Sequence, residues 1–127
     1  MKKYLLDTHV VLWIAENSPK ISQRARQVLC EDDLKYVSIA SAWEVAIKIS
    51  KGTLDLIGGL AEFYNIIDYN EFEILPVKKE YLPRLTDMPF IHKDPFDRLL
   101  ISTALCDDLT IITADENIQR YDVNWVW

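Results

Sequence analysis

Short apolar runs that stop at an acidic residue alternate with helix-patterned segments along this chain of 127 residues. Tyr4-Leu5-Leu6 stops at Asp7, and Leu109-Thr110-Ile111-Ile112-Thr113-Ala114 stops at Asp115. Alternation of this kind predicts a parallel sheet flanked by helices. Open sheets of that class place their ligands beyond the carboxyl ends of the strands, where Asp7 and Asp115 fall.

The segments between these runs carry ordinary start and stop signals. A strand over Lys3 to Leu6 precedes a helix from about His9 to Ala15, with Thr8 placed to cap it. Asn17-Ser18-Pro19 ends that helix, and Ser22 opens another with Ala25, Val28 and Leu29 inward. Tyr36 to Ser38 reads as a strand and Ser41 to Lys51 as a helix, with Gly52 just past its end. A helix from about Leu60 to Tyr69, a strand over Phe72 to Val77 and a helix from Lys79 to Leu85 follow. Asp94-Pro95 gives the clearest start, a cap followed by proline at the first helical position, for a helix reaching about Cys106. The strand Thr110 to Thr113, a helical turn near Glu116 to Gln119 and an extended piece over Val123 to Trp127 complete the series.

Asp7, Glu44, Asp97 and Asp115 are the residues that such a fold can gather into one cluster. Carboxylates held that close repel unless a cation lies between them, and hard oxygen ligands suit Mg²⁺ or Mn²⁺. Each also has a plain structural use. Asp7 and Asp115 can start turns, and Ser41-Ala42-Trp43-Glu44 has the spacing of a capping box. Asp94 and Asp97 both sit at a helix start, and helical periodicity turns Asp97 toward the strand ends. His9 and His92 read as polar side chains of a helix start or loop, since a histidine-built metal site needs more of them. His92, Lys93, Arg98 and Lys48 are candidates for contacting a substrate phosphate. The four tryptophans read as core or interface anchors.

Composition narrows the alternatives. Half the residues are hydrophobic, so residues 1–127 are expected to form a single domain with its own core. No apolar run reaches the roughly 20 residues that span a bilayer, the opening segment does not resemble a signal peptide, and two cysteines make no disulfide framework. A cytoplasmic protein is the expectation. The balance of 14 basic against 20 acidic residues, net −6, gives no general attraction for nucleic acid. There is no Walker loop, dinucleotide glycine turn or GxSxG elbow.

With the acids placed, the chain resembles PIN-domain ribonucleases, specifically VapC-type toxins of toxin–antitoxin pairs. The resemblance rests on Leu5-Leu6-Asp7-Thr8-His9 with Leu12-Trp13, on Ser41-Ala42-Trp43-Glu44, on His92-Lys93-Asp94-Pro95-Phe96-Asp97-Arg98-Leu99-Leu100-Ile101, and on Thr113-Ala114-Asp115. It implies a three-layer α/β/α sandwich and metal-dependent cleavage of RNA. It places the acidic site on Asp7, Glu44, Asp97 and Asp115, with Thr113 as a supporting hydroxyl. It further implies a cognate antitoxin and a homodimer, for which aromatics near Trp43, Phe63 and Tyr64 are candidate surface. The competing expectation is a non-catalytic module of the same fold that uses the acids only as caps and surface charge.

Overall fold

The computed structural model describes residues 2–127. Its first strand, β1 (Lys3–Leu6), leads into α1 (Thr8–Ala15) and α2 (Gln23–Cys30), then β2 (Leu34–Ser38). Next come α3 (Ile39–Ser50), α4 (Gly59–Tyr69) and β3 (Glu73–Leu75). The remainder is α5 (Tyr81–Thr86), α6 (Pro95–Asp107), β4 (Thr110–Ile112), α7 (Glu116–Gln119) and β5 (Trp125–Val126). The strands form one parallel sheet in the order β3-β2-β1-β4-β5.

That order explains why β1 and β4 are apolar without interruption. In β1, successive side chains point to opposite faces. Tyr4 and Leu6 enter a core with Val10, Val11, Val28, Val45, Phe63 and Ile67. Leu5 enters a second core with Leu100, Ile101, Ala104, Ile111 and Ile118. Helices cover both faces, which gives the expected three-layer α/β/α sandwich. No helix among the described residues is long and apolar enough to cross a membrane.

Strand order also locates a crevice. From β1 the chain builds outward through β2 to β3, then returns to lay β4 and β5 on the other side of β1. The reversal falls between β1 and β4, and a crevice opens at such a point beyond the carboxyl ends.

Several boundaries differ from the sequence expectation, two of them because a different side chain takes the helix start. Asp7, not Thr8, caps α1 by accepting from the His9 amide. Ser38, not Ser41, caps α3 by accepting from the Ala40 amide, so α3 begins at Ile39 and no capping box forms at Glu44. Ser41 is instead buried within the helix and accepts a hydrogen bond from the Thr8 hydroxyl at 2.8 Å, pinning α1 to α3. The strand expected over Phe72 to Val77 contracts to Glu73–Leu75, and the final one to Trp125–Val126. Asp94 and Pro95 start α6 as expected.

Candidate metal centre

Asp7 leaves β1 with its amide still bonded to the Ile112 carbonyl at 3.1 Å, so its backbone belongs to the edge of the ladder. One carboxylate oxygen caps α1, and the other accepts from Thr113 Oγ1 at 2.7 Å. The same hydroxyl accepts from the Asp115 amide at 3.0 Å. Thr113 thus links the ends of β1 and β4, and it is fully buried. Asp115 Oδ1 caps α7 through the amides of Asn117 and Ile118, which leaves Oδ2 to face the crevice.

Two helices bring the other acids. Freed from any capping role by Ser38, Glu44 lies within α3 and is only 2 % exposed. Its Oε2 pairs with Lys48 one turn on at 2.9 Å, while its Oε1 is buried with no hydrogen-bond partner. In α6, Asp94 spends Oδ1 on the amides of Phe96 and Asp97. Asp97, one turn in and 7 % exposed, is the carboxylate that enters the cluster. Its carboxyl is pushed up to about 7 by burial, then by the charges of Asp7 and Asp94, with Glu44 adding and His92 opposing.

His92 occupies the centre of this group rather than a peripheral loop position. Its Nε2 lies 2.9 Å from Asp97 Oδ2 and 2.9 Å from Asp115 Oδ2. The Asp94 amide donates to Nδ1 at 3.2 Å, which places the ring proton on Nε2, between the two carboxylates. Burial disfavours charge on His92, but Asp115, Asp97 and Asp94 outweigh it and raise its pKa. Asp115 is lowered: burial acts against its charge, but the bonds from His92 and the Asn117 amide prevail. His9 is raised, chiefly by the Asp7 carboxylate, whose Oδ1 lies 3.8 Å from Nδ1.

The loop before α6 is fixed by a residue that sequence reasoning did not single out. The Tyr121 hydroxyl accepts from the amides of Ile91 at 3.1 Å and His92 at 2.9 Å, and from Arg98 Nη1 at 3.1 Å. Arg98 also donates to the carbonyls of Pro89 and Leu85, and its guanidinium stacks 4.4 Å from the Phe90 ring. Arg98, expected as a candidate to contact substrate phosphate, is placed by the structure as a buried strut of this loop. Lys48 is tied to Glu44, which raises its pKa chiefly through that hydrogen bond, and Lys93 is exposed. Of the aromatics expected at a partner surface, Phe63 is core and Tyr64 packs against it, whereas Trp43 is exposed.

This donor set fits a hard divalent cation. Glu44 Oε1 lacks a partner in a buried place, and burial first, then the neighbouring carboxylates, push the Asp97 carboxyl up to about 7. A cation would satisfy both. His92 Nε2 and one oxygen each of Asp97 and Asp115 all lie within 4.8 Å of one another, so imidazole is an available ligand beside the carboxylates.

Comparison with known proteins agrees with this geometry. The model of the family described as PIN domain matches residues 4–124. No curated protein matches the chain. Among solved structures, VapBC2 from Rickettsia felis, bound to a DNA fragment from its promoter, is similar with a TM-score of 0.72. Identity is 14 %, over 98 % of this chain and 97 % of that one. DNA-bound VapBC from Salmonella typhimurium gives 0.69 at 16 % identity, covering 99 % and 98 %. VapBC-1 from nontypeable Haemophilus influenzae gives 0.67 at 19 %, covering 98 % and 96 %. At such identities the likeness shows the fold.

Proposed function

This chain belongs to the PIN domain family, and from that premise we propose that it is a metal-dependent endoribonuclease acting as the toxin of a toxin–antitoxin pair. The observation that carries the catalytic half is the buried, partnerless Oε1 of Glu44 together with an Asp97 carboxyl pushed up to about 7, to which the Glu44 charge contributes. A crevice built this way is charged for a cation and for the phosphate a cation brings.

In this reading Asp7, Glu44, Asp97 and Asp115 hold Mg²⁺ or Mn²⁺, with His92 as a further ligand. When bound, the ion supplies Lewis-acid polarisation of a phosphodiester oxygen and makes a nearby water more acidic. The protein's own part is positioning. Thr113 fixes the Asp7 carboxylate, the Asp94 cap fixes the first turn of α6, and Tyr121 fixes the backbone of His92. In the same reading Lys48, restrained by Glu44, and Lys93 are the cations that would meet phosphate. Asp7 is the first choice for direct ligation because both its oxygens are already oriented by the fold.

The toxin half is supported by the likeness of this fold to chains of VapBC complexes. On that analogy the partner is a small antitoxin that covers the crevice, the assembly is a homodimer, the setting is the cytoplasm, and residues 1–127 act as one domain. A non-catalytic reading has one observation in its favour: Asp7, Asp94 and Asp115 all serve as helix caps. Incubating RNA with the protein and Mg²⁺ or Mn²⁺, with and without EDTA, separates the two. The nuclease reading expects cleavage that EDTA stops and Asp7→Asn lacks. Intact RNA under all conditions would favour the module.

A further inference from the structure

The donors of the crevice differ in chemistry. Asp7 and Glu44 offer carboxylate oxygen alone, whereas His92 brings an imidazole nitrogen to 2.9 Å from both Asp97 Oδ2 and Asp115 Oδ2. The ligand atoms of His92, Asp97 and Asp115 all lie within 4.8 Å of one another. Their side chains are 12 %, 9 % and 30 % exposed, so the set is largely shielded from solvent. Each backbone is also held: Tyr121 fixes the His92 amide, the Asp94 carboxylate that of Asp97, and Thr113 Oγ1 that of Asp115. Independently, the buried and partnerless Oε1 of Glu44 calls for a cation in this crevice.

Ligand spacing and ligand type together sort the candidate ions. Adjacent corners of an octahedron with bonds of about 2.1 Å lie about 3.0 Å apart, close to the 2.9 Å found between the ring and each carboxylate. Corners of a zinc tetrahedron with similar bonds lie about 3.4 Å apart, a looser set than this one. Carboxylate and water suit Mg²⁺ and Mn²⁺, whereas imidazole suits iron and nickel, and affinity climbs from Mn²⁺ through Fe²⁺ and Co²⁺ to Ni²⁺.

We propose that His92, Asp97 and Asp115 form a site for an imidazole-seeking octahedral ion, Fe²⁺, Co²⁺ or Ni²⁺, in preference to Mg²⁺ or Mn²⁺. This rests on the metal-centre part of the nuclease reading and assigns a donor set and an ion class within it. The ion takes the place of the proton on Nε2. That proton passes to Nδ1 by way of solvent, so the imidazole stays neutral, and Nδ1 gives up the bond from the Asp94 amide. At 3.2 Å that bond is longer than either contact of Nε2. The cap of α6 is untouched, because it uses the Asp94 carboxylate.

The test uses Co²⁺ as probe on the native protein, with Mn²⁺ as reference. Proton NMR of the Co²⁺-loaded protein should show a strongly shifted ring N–H that vanishes in D₂O. His9 is the other histidine of the chain, and His9→Gln should leave this resonance in place. Calorimetry should give Co²⁺ about tenfold or more tighter binding than Mn²⁺. His92→Asn should abolish the shifted resonance and weaken Co²⁺ about tenfold or more, but Mn²⁺ only about two- to threefold. Should that variant unfold, the resonance of the native protein decides alone. Bound Co²⁺ without a shifted ring N–H overturns the inference, as does a shifted N–H lost in His9→Gln or an equal loss of both ions in His92→Asn. Saturable Mn²⁺ with no Co²⁺ binding overturns it and leaves the nuclease reading standing. Co²⁺ held through His92 in a protein that cuts no RNA with any ion defeats the nuclease reading and leaves the inference.

Discussion

The Thr113 hydroxyl donates to the Asp7 carboxylate at 2.7 Å, joining residues 106 positions apart across the two central strands of the sheet. It orients an acid that must face a cation, and it takes part of the acid's charge when no cation is near. Thr113→Val keeps the shape and removes the donor. A hydrogen bond to a charged group contributes about 1.5–3 kcal/mol, so thermal unfolding should occur several degrees lower. RNA cleavage should fall at least about tenfold, through kcat rather than KM, because Asp7 loses its orientation.

Removing the charge itself should act in the opposite direction on stability. In metal-free buffer Asp7→Asn removes the charge that, after burial, does most to push Asp97 up to about 7. The variant should be more stable than the native protein by about 1–2 kcal/mol and lack cleavage. Differential scanning fluorimetry in EDTA checks the first outcome. A destabilised Asp7→Asn protein would mean that its capping bond to His9 outweighs the repulsion.

The pH dependence follows from the same groups. The folded-state pKa of Asp97, about 7, lies above its unfolded value of 3.8, so between these limits the unfolded chain gives up its proton first. Metal-free stability therefore declines as pH rises through that window. His92, raised above 6.5, adds stability that is present below 6.5 and lost as pH climbs past its folded value. Asp115, lowered from 3.8, contributes stability that is complete above the ordinary carboxylate range and disappears only in stronger acid. Melting temperatures in EDTA should fall from about pH 5 to about pH 7, by the order of 2 kcal/mol in stability, and further as pH passes the raised value of His92. Millimolar Mn²⁺ should flatten or reverse the trend, because its ligands bind best deprotonated.

Arg98 and Tyr121 give a prediction that separates support from ligation. The three-way fork of Arg98 to Pro89, Leu85 and Tyr121 cannot be reproduced by lysine, which lacks the planar donors. Arg98→Lys should cost about 2 kcal/mol of stability. Tyr121→Phe leaves the half-buried amides of Ile91 and His92 without their acceptor and should weaken Mn²⁺ binding as well as the fold. Calorimetric titration of each variant at a temperature where it stays folded distinguishes the two effects.

Much of this was legible in the sequence because it depended on local pattern. Uninterrupted apolar runs at Tyr4-Leu5-Leu6 and Leu109 to Ala114 marked strands covered on both faces, and Asp94-Pro95 marked the start of α6. Asp97 rather than Asp94 entering the cluster followed from helical spacing once that start was placed. The failures share a cause, since each depended on a partner distant in sequence. Thr8 lost the cap of α1 to Asp7 because Thr8 faces Ser41 on α3. Arg98 looked like a surface cation until Tyr121, 23 positions on, drew it inside. His92 joined the cluster because Tyr121 holds its amide while Asp115 meets its ring, and neither contact has a signature in neighbouring residues.

The central claim is that Glu44, Asp97 and Asp7 share one cation, and calorimetric titration of Mn²⁺ near pH 7.5 tests it most directly. The native protein should show saturable binding at a site that Asp7→Asn, Glu44→Gln and Asp97→Asn each weaken by tenfold or more, with protons released from Asp97 as the ion enters. No saturable heat at millimolar Mn²⁺, or equal binding by the native protein and all three variants, would contradict it.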